Sequence, residues 1–193
     1  PNSGGGPTTI TESATITVAK NYVQIRGPGR DVLVTLNTSG SVFDISAGGV
    51  QLSGMRIATF SGASSDGINI NSAADFVSIS RCYIESAHRD GVQLNVANNC
   101  LVEDCQITSA VRDAVRISSG SGSGNHNKIL RNILRGAGGT GVNLQGSDAS
   151  NCRIQHNLIR DCATGITVAS GVANSSITDN RFAGNTTNIS DSG

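Results

Sequence analysis

The stretch DGVQL at residues 90–94 decides the fold, because it returns along the chain: DGINI at 66–70, DAVRI at 113–117, TGVNL at 140–144 and TGITV at 164–168. A weaker copy, SVFDI, starts at Ser41, and a shortened one, TNIS, at Thr187. Successive copies start 23 to 27 residues apart. A second segment keeps the same variable period between them: LSGMRI (52–57), ISRCYI (79–84), VEDCQI (102–107), ILRNIL (129–134), IQHNLI (154–159) and ITDNRF (177–182). Two motifs that hold phase through six copies define an internal repeat; chance alternation would lose register.

Both segments alternate apolar and polar residues, as a strand with one buried face does. Ile68/Ile70, Val92/Leu94, Val115/Ile117, Val142/Leu144 and Ile166/Val168 are expected inside, with Asn69, Gln93, Arg116, Asn143 and Thr167 outside. No helical i, i+3, i+4 pattern of useful length occurs. Short strands at this period without helices predict an all-β chain, a single-stranded parallel β-helix of about seven or eight coils. At ~4.8 Å per coil the rod is ~35–40 Å long. A leucine-rich repeat of similar period would show an LxxLxL frame, which is absent here. The chain reads as one domain over residues 1–193: a flexible lead at 1–9, an opening coil at 10–40 and regular coils at 41–190. TITV (15–18), YVQIRG (22–27) and DVLVTL (31–36) are the expected strands of the opening coil. Loop length varies most at 58–65 and 118–127.

Composition agrees and excludes several classes. The 193 residues include 24 Gly, 3 Pro, 4 Phe, 2 Tyr and no Trp, and Lys+Arg and Asp+Glu balance at 14 each. Zero net charge offers no electrostatic case for nucleic acid. Mean hydropathy is -0.09 and no run of ~20 apolar residues occurs, so no membrane span is expected. No charged segment followed by an apolar one opens the sequence, so no secretory leader is expected.

The position after the second strand reads Met55, Cys82, Cys105, Asn132, Asn157, Asn180. Asn tolerates left-handed backbone, and its side chain can bond neighbouring backbone. Asn132, Asn157 and Asn180 should therefore stack as a ladder, continued by a sulfur-lined column at Cys82 and Cys105. On these residues the chain resembles the right-handed parallel β-helix (pectate-lyase-like) superfamily, over roughly residues 10–190. That resemblance implies an asparagine ladder at the short turn between the second and third sheets.

The five cysteines (82, 100, 105, 152 and 162) show no CxxC or Cys/His spacing, so they are expected to be structural thiols with no metal site. Cys100 and Cys152 share a column two coils apart, beyond disulfide reach. An outward column, Arg81, Asp104, Arg131, His156, Asp179, nearly alternates in sign. Such pairs set register, at ~0.2–1 kcal/mol each, or present a charged contact face.

Chemistry centres on Asp66, Asp90 and Asp113, one per coil, with His88, Arg89, Arg112 and Arg135 in the loops just before them. The superfamily resemblance implies a carbohydrate groove between the first sheet and that loop row. Carboxylates at ~5 Å intervals could serve as the acid and nucleophile of a retaining glycosidase, since one carboxyl is then held protonated by the other. They could also bind Ca²⁺. The plainer reading is turn chemistry, with each Asp bonding local N–H groups and Arg89 and Arg112 neutralising the column. Neither the Gly-His-Gly of polygalacturonases nor the Asp-Pro-His of alginate epimerases is present. His88, His126 and His156 read as surface residues. Phe43 and Phe182 face inward, while Tyr83 and Phe60 are the two available aromatic platforms.

TITVAKNYVQIRGPGRDVLV (15–34) and NRFAGNTTNISDSG (180–193) resemble the first and last coils of bacteriophage tailspike and tail-fibre β-helices. This resemblance implies homotrimers that bind, and sometimes cleave, surface polysaccharide. It also implies a virion part assembled in a reducing host cytoplasm, with secretion as the alternative location. The bare sequences at both ends lead to the expectation that the chain abuts a partner. The expected function is a non-enzymatic virion structural or receptor-binding module whose partners are its own copies, other virion proteins and host polysaccharide. Its expected binding residues are His88, Arg89, Arg112, Arg116, Asn143 and Tyr83, with Asn69/Gln93/Arg116/Asn143 and Arg81/Asp104/Arg131 as contact faces. The alternative is a polysaccharide hydrolase or lyase using Asp66, Asp90 and Asp113. A third class, an ice-binding or adhesive solenoid, would want a flat Thr column, and Thr167 is alone in its column.

Overall fold

A strand buried on one side needs a partner surface, and here each repeat supplies it to the next. The computed structural model describes residues 8–36, 39–59, 65–72, 74–118, 126–146 and 149–192. About seven turns wind through three parallel sheets of eight, seven and eight strands, with no helix among the described residues. The first sheet contains the opening motif, for example Ile68–Ile70, Val92–Asn95, Val115–Ser118 and Thr140–Gln145. The second contains Gln24–Arg26, Gln51–Ser53, Ser78–Ser80, Leu101–Glu103 and their successors. The third contains Arg56–Thr59, Tyr83–Glu85, Gln106–Thr108, Ile133–Arg135 and Leu158–Arg160.

Each strand pairs with its equivalent one coil away, which is what a fixed repeat dictates. Val92 faces Ile68 on one side and Val115 on the other, and Ile107 lies between Ile84 and Leu134. All six of these side chains are fully buried. Burying such a side chain contributes ~1.5–3 kcal/mol, so the inward ladders dominate stability, summed coil by coil. The first of the opening-coil strands begins at Thr8, inside the stretch expected as a lead.

Two local expectations need correcting. The opening-motif strands start at Ile68, Val92 and Val115, so Asp66, Asp90 and Asp113 stand in the bend before them. The glycine after Asp90 serves close packing: a Cβ on Gly91 would lie 2.3 Å from Ile107 Cγ2 and 2.6 Å from the Ala114 carbonyl oxygen. At the ladder bend, the left-handed residue is the one before the ladder residue. Arg81, Asp104, Arg131, His156 and Asp179 have φ between 51° and 57°. That conformation turns their side chains outward and the following Cys or Asn inward.

Candidate functional site

The Asp column forms as the repeat requires, and its carboxylates are buried and bonded from coil to coil. Asp66 and Asp90 are 0% exposed and Asp113 is 2% exposed. Arg89 Nε donates to Asp66 Oδ1 at 2.8 Å, and its Nη2 donates to Oδ2. Arg112 grips Asp90 in the same fork, Nε to Oδ1 at 2.8 Å and Nη2 to Oδ2. Asp113 receives Arg116 Nη1 at 2.9 Å and Asn143 Nδ2 at 2.9 Å. Each Oδ1 also accepts the backbone N–H of the equivalent residue in the next coil: Asp90 at 3.1 Å, Asp113 at 3.2 Å and Thr140 at 2.9 Å. These bonds use the oxygens that a Ca²⁺ ion or a reacting sugar would need. Burial outweighs the Arg112 ion pair at Asp90 and raises its pKa, while the same contact, chiefly the hydrogen bond that Arg112 donates to Asp90, raises that of Arg112.

The expected contact face beside this column is occupied as well. Gln93 is 8% exposed, donates to Ser118 Oγ at 3.0 Å and accepts from Arg112. Asn69 donates to Asp44 at 2.8 Å, and Arg116 and Asn143 turn to Asp113. His88 is half-buried, with its backbone N–H on Thr59 Oγ1 at 3.0 Å. The alternating column is realised at Arg131 with Asp104 (2.9 Å) and at His156 with Asp179 (4.0 Å), all at the exposed surface.

The ladder is continuous across sulfur and amide. Cys82 N–H donates to Cys105 Sγ at 3.4 Å, and Cys105 N–H to Asn132 Oδ1 at 2.9 Å. Asn132 N–H then donates to Asn157 Oδ1 at 2.9 Å, and Asn157 N–H to Asn180 Oδ1 at 3.0 Å. Two further rows escape a reading by residue type, because one mixes Cys, Asn and Ser and the other Cys and Asn. One runs Cys100 N–H to Asn127 Oδ1 (2.8 Å) and Cys152 N–H to Ser175 Oγ (3.1 Å). The other runs Cys162 N–H to Asn185 Oδ1 (3.0 Å). Asn127 thus lies between Cys100 and Cys152, and all five cysteines are buried thiols outside any disulfide. The hydrogen bond with Cys105 lowers the pKa of Cys82 and raises that of Cys105, with burial adding to the rise. Burial pushes Cys100 up to about 12 and Cys152 up to about 11. Since the thiolate is the reactive form, a thiol-reactive disulfide at pH 8 is expected to leave Cys100 and Cys152 unmodified in the native chain. Both should react once the chain is unfolded in urea, and mass spectrometry reads the difference.

An open groove of about 680 Å³ lies elsewhere, on the outer face of the third sheet. Tyr83, Gln106, Glu85, Thr108 and Arg135 line it from successive strands, and Ser86, Ser109, Gly136 and Asp161 form its edge. The edge residues all have φ between 54° and 63°. These left-handed bends border the groove along four successive coils. Glu85 is paired with Arg56 at 2.7 Å, and Asp161 with Arg135 at 3.4 Å and Arg160 at 3.8 Å. The Tyr83 ring is covered by the Arg30 guanidinium at 5.0 Å, with Arg56 at 5.8 Å, so it is a walled side rather than a free stacking platform. Of the expected binding residues only Tyr83 reaches this groove. Gln106, Thr108 and Arg135 share it because the strands are in register. Single polar letters at period two in short strands carry no mark of this in the sequence. Phe60 lies outside the described residues.

No curated protein matches the chain. Among solved structures, Geobacillus virus E2 ORF18 superposes with a TM-score of 0.63 at 11% identity, covering 98% of this chain and 53% of that one. The enzymatically active domain of tailspike protein 2 of bacteriophage CBA120 gives 0.63 at 12% identity, covering 97% and 42%. The catalytic unit of a GH87 α-1,3-glucanase from Streptomyces thermodiastaticus gives 0.58 at 16% identity, covering 91% and 34%. The chain therefore spans about a third to a half of the length of these structures, and the likeness is one of fold. At the level of families, residues 22–182 match the right handed beta helix region. That match takes in most of the coils, including the Cys82–Asn180 ladder, and the chain belongs to the right-handed β-helix family.

Proposed function

We propose that the chain is a non-enzymatic β-helix module of a bacteriophage tail or virion, and that its third-sheet groove holds a segment of surface polysaccharide. The observation that carries this reading is the groove itself. It is polar, open to solvent and continuous across coils, which suits an extended polyhydroxylated chain. Its acids are paired with guanidinium groups, an arrangement that orients hydroxyl groups without offering a free general acid. The fold likeness to a virus protein, a tailspike domain and a glucanase is consistent with this reading. Self-association, with a trimer as the form sought, belongs to the same proposal and is read by sedimentation.

The test immobilises a panel of bacterial surface polysaccharides and measures retention of the full chain together with release of reducing ends. Retention without reducing ends is expected, and a Gln106→Ala/Arg135→Gln variant should bind about tenfold more weakly, the loss of one or two polar contacts. Reducing ends released by wild type but not by Asp90→Asn would replace this reading with the hydrolase or lyase alternative.

A further inference from the structure

At the bend leading into the second sheet, seven successive coils place one residue in the left-handed conformation: Tyr22, Gly49, Phe76, Asn99, His126, Asn151 and Asn174, with φ between 55° and 68°. The bend is the same in each described case. Tyr22 N–H bonds Gly48 O at 3.0 Å, Gly49 N–H bonds Asp75 O at 2.9 Å, and Phe76 N–H bonds Asn98 O at 3.0 Å. Gly and Asn suit this conformation, whereas a bulky side chain is disfavoured there. Two coils nonetheless carry aromatic residues, and both rings are turned into solvent. Tyr22 is 84% exposed and Phe76 66% exposed, the two most exposed large hydrophobic side chains among the described residues. Neither backbone conformation nor burial accounts for a ring at either place. Strain retained without a packing return is a mark of function.

The surroundings show what the rings are for. Gly49 lies between them, and a Cβ there would come within 2.6 Å of the Tyr22 ring, so Gly49 leaves room for that ring to lie along the corner. Tyr22 and Phe76 are two coils apart, about 10 Å at the strand spacing. The outward row next to them, in the second sheet, is Gln24, Gln51 and Ser78, paired in register and uncharged. Aromatic faces beside a row of amides and a hydroxyl form the chemistry that recognises a sugar: apolar C–H faces stack on the rings while hydroxyl groups meet amides.

We propose that Tyr22, Gly49 and Phe76, with Gln24 and Gln51, form a ledge that binds an uncharged hexopyranose chain, at a corner separate from the third-sheet groove. This rests on the reading of the module as a polysaccharide binder and adds a second site to it. The test titrates the full chain with cellohexaose, laminarihexaose and maltohexaose by calorimetry and follows the aromatic ring signals by NMR. At least one hexaose is expected to shift the Tyr22 and Phe76 ring signals. A Tyr22→Asn/Phe76→Asn variant carries the residue that other coils use at this bend, so it is expected to fold. It should bind that hexaose about tenfold more weakly or worse, with an unfolding midpoint equal to or above that of wild type.

Three results overturn the ledge: no hexaose binds wild type, the variant binds as wild type does, or the variant changes only the sedimentation of the chain, which would mark a contact between copies. The groove reading stands or falls separately. If Gln106→Ala/Arg135→Gln abolishes hexaose binding while the ledge variant keeps it, the ledge is wrong and the groove is supported. If the ledge variant alone loses hexaose binding, the ledge holds whatever the groove does with longer polysaccharide.

Discussion

Asn157→Leu is expected to cost about 4 kcal/mol of stability, read as a lowered urea midpoint, and to loosen the coils on both sides of it. The side chain is 1% exposed and makes bonds in two directions. Its Nδ2 donates to Ile129 O at 2.9 Å and to Asn180 Oδ1 at 2.9 Å. Its Oδ1 accepts Asn132 N–H at 2.9 Å and Asn132 Nδ2 at 3.0 Å. Leucine is close in volume and fills the space, but it removes four hydrogen bonds: Asn132 N–H loses its acceptor, while Asn132 Nδ2 keeps only Val102 O and Asn180 Oδ1 keeps only the residue-157 N–H. An orphaned buried polar group costs ~1–3 kcal/mol, and relaxation recovers part of the sum. Asn180→Leu should cost less, because Asn180 is half-buried near the last coil. Hydrogen exchange locates the effect: protection should fall at 129–134 and 154–159 and persist near 68–70, since solenoid stability is a sum of neighbour terms. A uniform loss along the whole rod would contradict that picture.

Arg112→Leu is expected to cost about 3 kcal/mol at pH 7, because it strands a carboxylate that has no exposure to water. The guanidinium itself is 38% exposed, so its own desolvation is small and the loss belongs to Asp90. The pH dependence gives the sign. Asp90 already has its pKa raised by burial, and removing the cation raises it further. A carboxyl whose folded pKa lies above its unfolded value destabilises the fold at every pH above the folded pKa. That penalty shrinks as pH falls toward the unfolded value of about 4. The gap in stability between Arg112→Leu and wild type should therefore be largest at neutral pH and narrow on acidification. Arg112→Leu with Asp90→Leu should recover most of the loss, and Arg112→Lys should not, because ammonium lacks the fork that spans both oxygens. A gap that widens as pH falls would mean that Asp90 is held ionised by something other than Arg112.

The fold was open to a reader of the sequence because repetition amplifies weak signals. One Val-Gln-Leu triplet states little, but five aligned triplets state a sheet, and the Asn132/Asn157/Asn180 column states a turn between sheets. The Asp66/Asp90/Asp113 column was visible for the same reason, and so was the pairing with Arg89 and Arg112. What the letters do not carry is the direction of the guanidinium groups. Their closing over the carboxylates is what the reading of the column as a staple between coils rests on. The third-sheet groove was hidden because Gln106 and Thr108 are unremarkable singly, and Arg135, expected in the loops before the aspartates, instead ends the strand Ile133–Arg135 and meets them only through register. Tyr22 and Phe76 were hidden because they interrupt a column whose rule, a left-handed bend, is a backbone property.

The central claim is that the polar groove binds polysaccharide while the Asp column only holds the coils together. Backbone amide shift mapping of the full chain with a fragment of a retained polysaccharide tests it most directly. The expected result is a cluster of shifts at Gln106, Thr108, Ser109 and Gly136, with Gly67, Gly91 and Ala114 beside the aspartates unmoved. A cluster at Gly67, Gly91 and Ala114, with the groove silent, would contradict it.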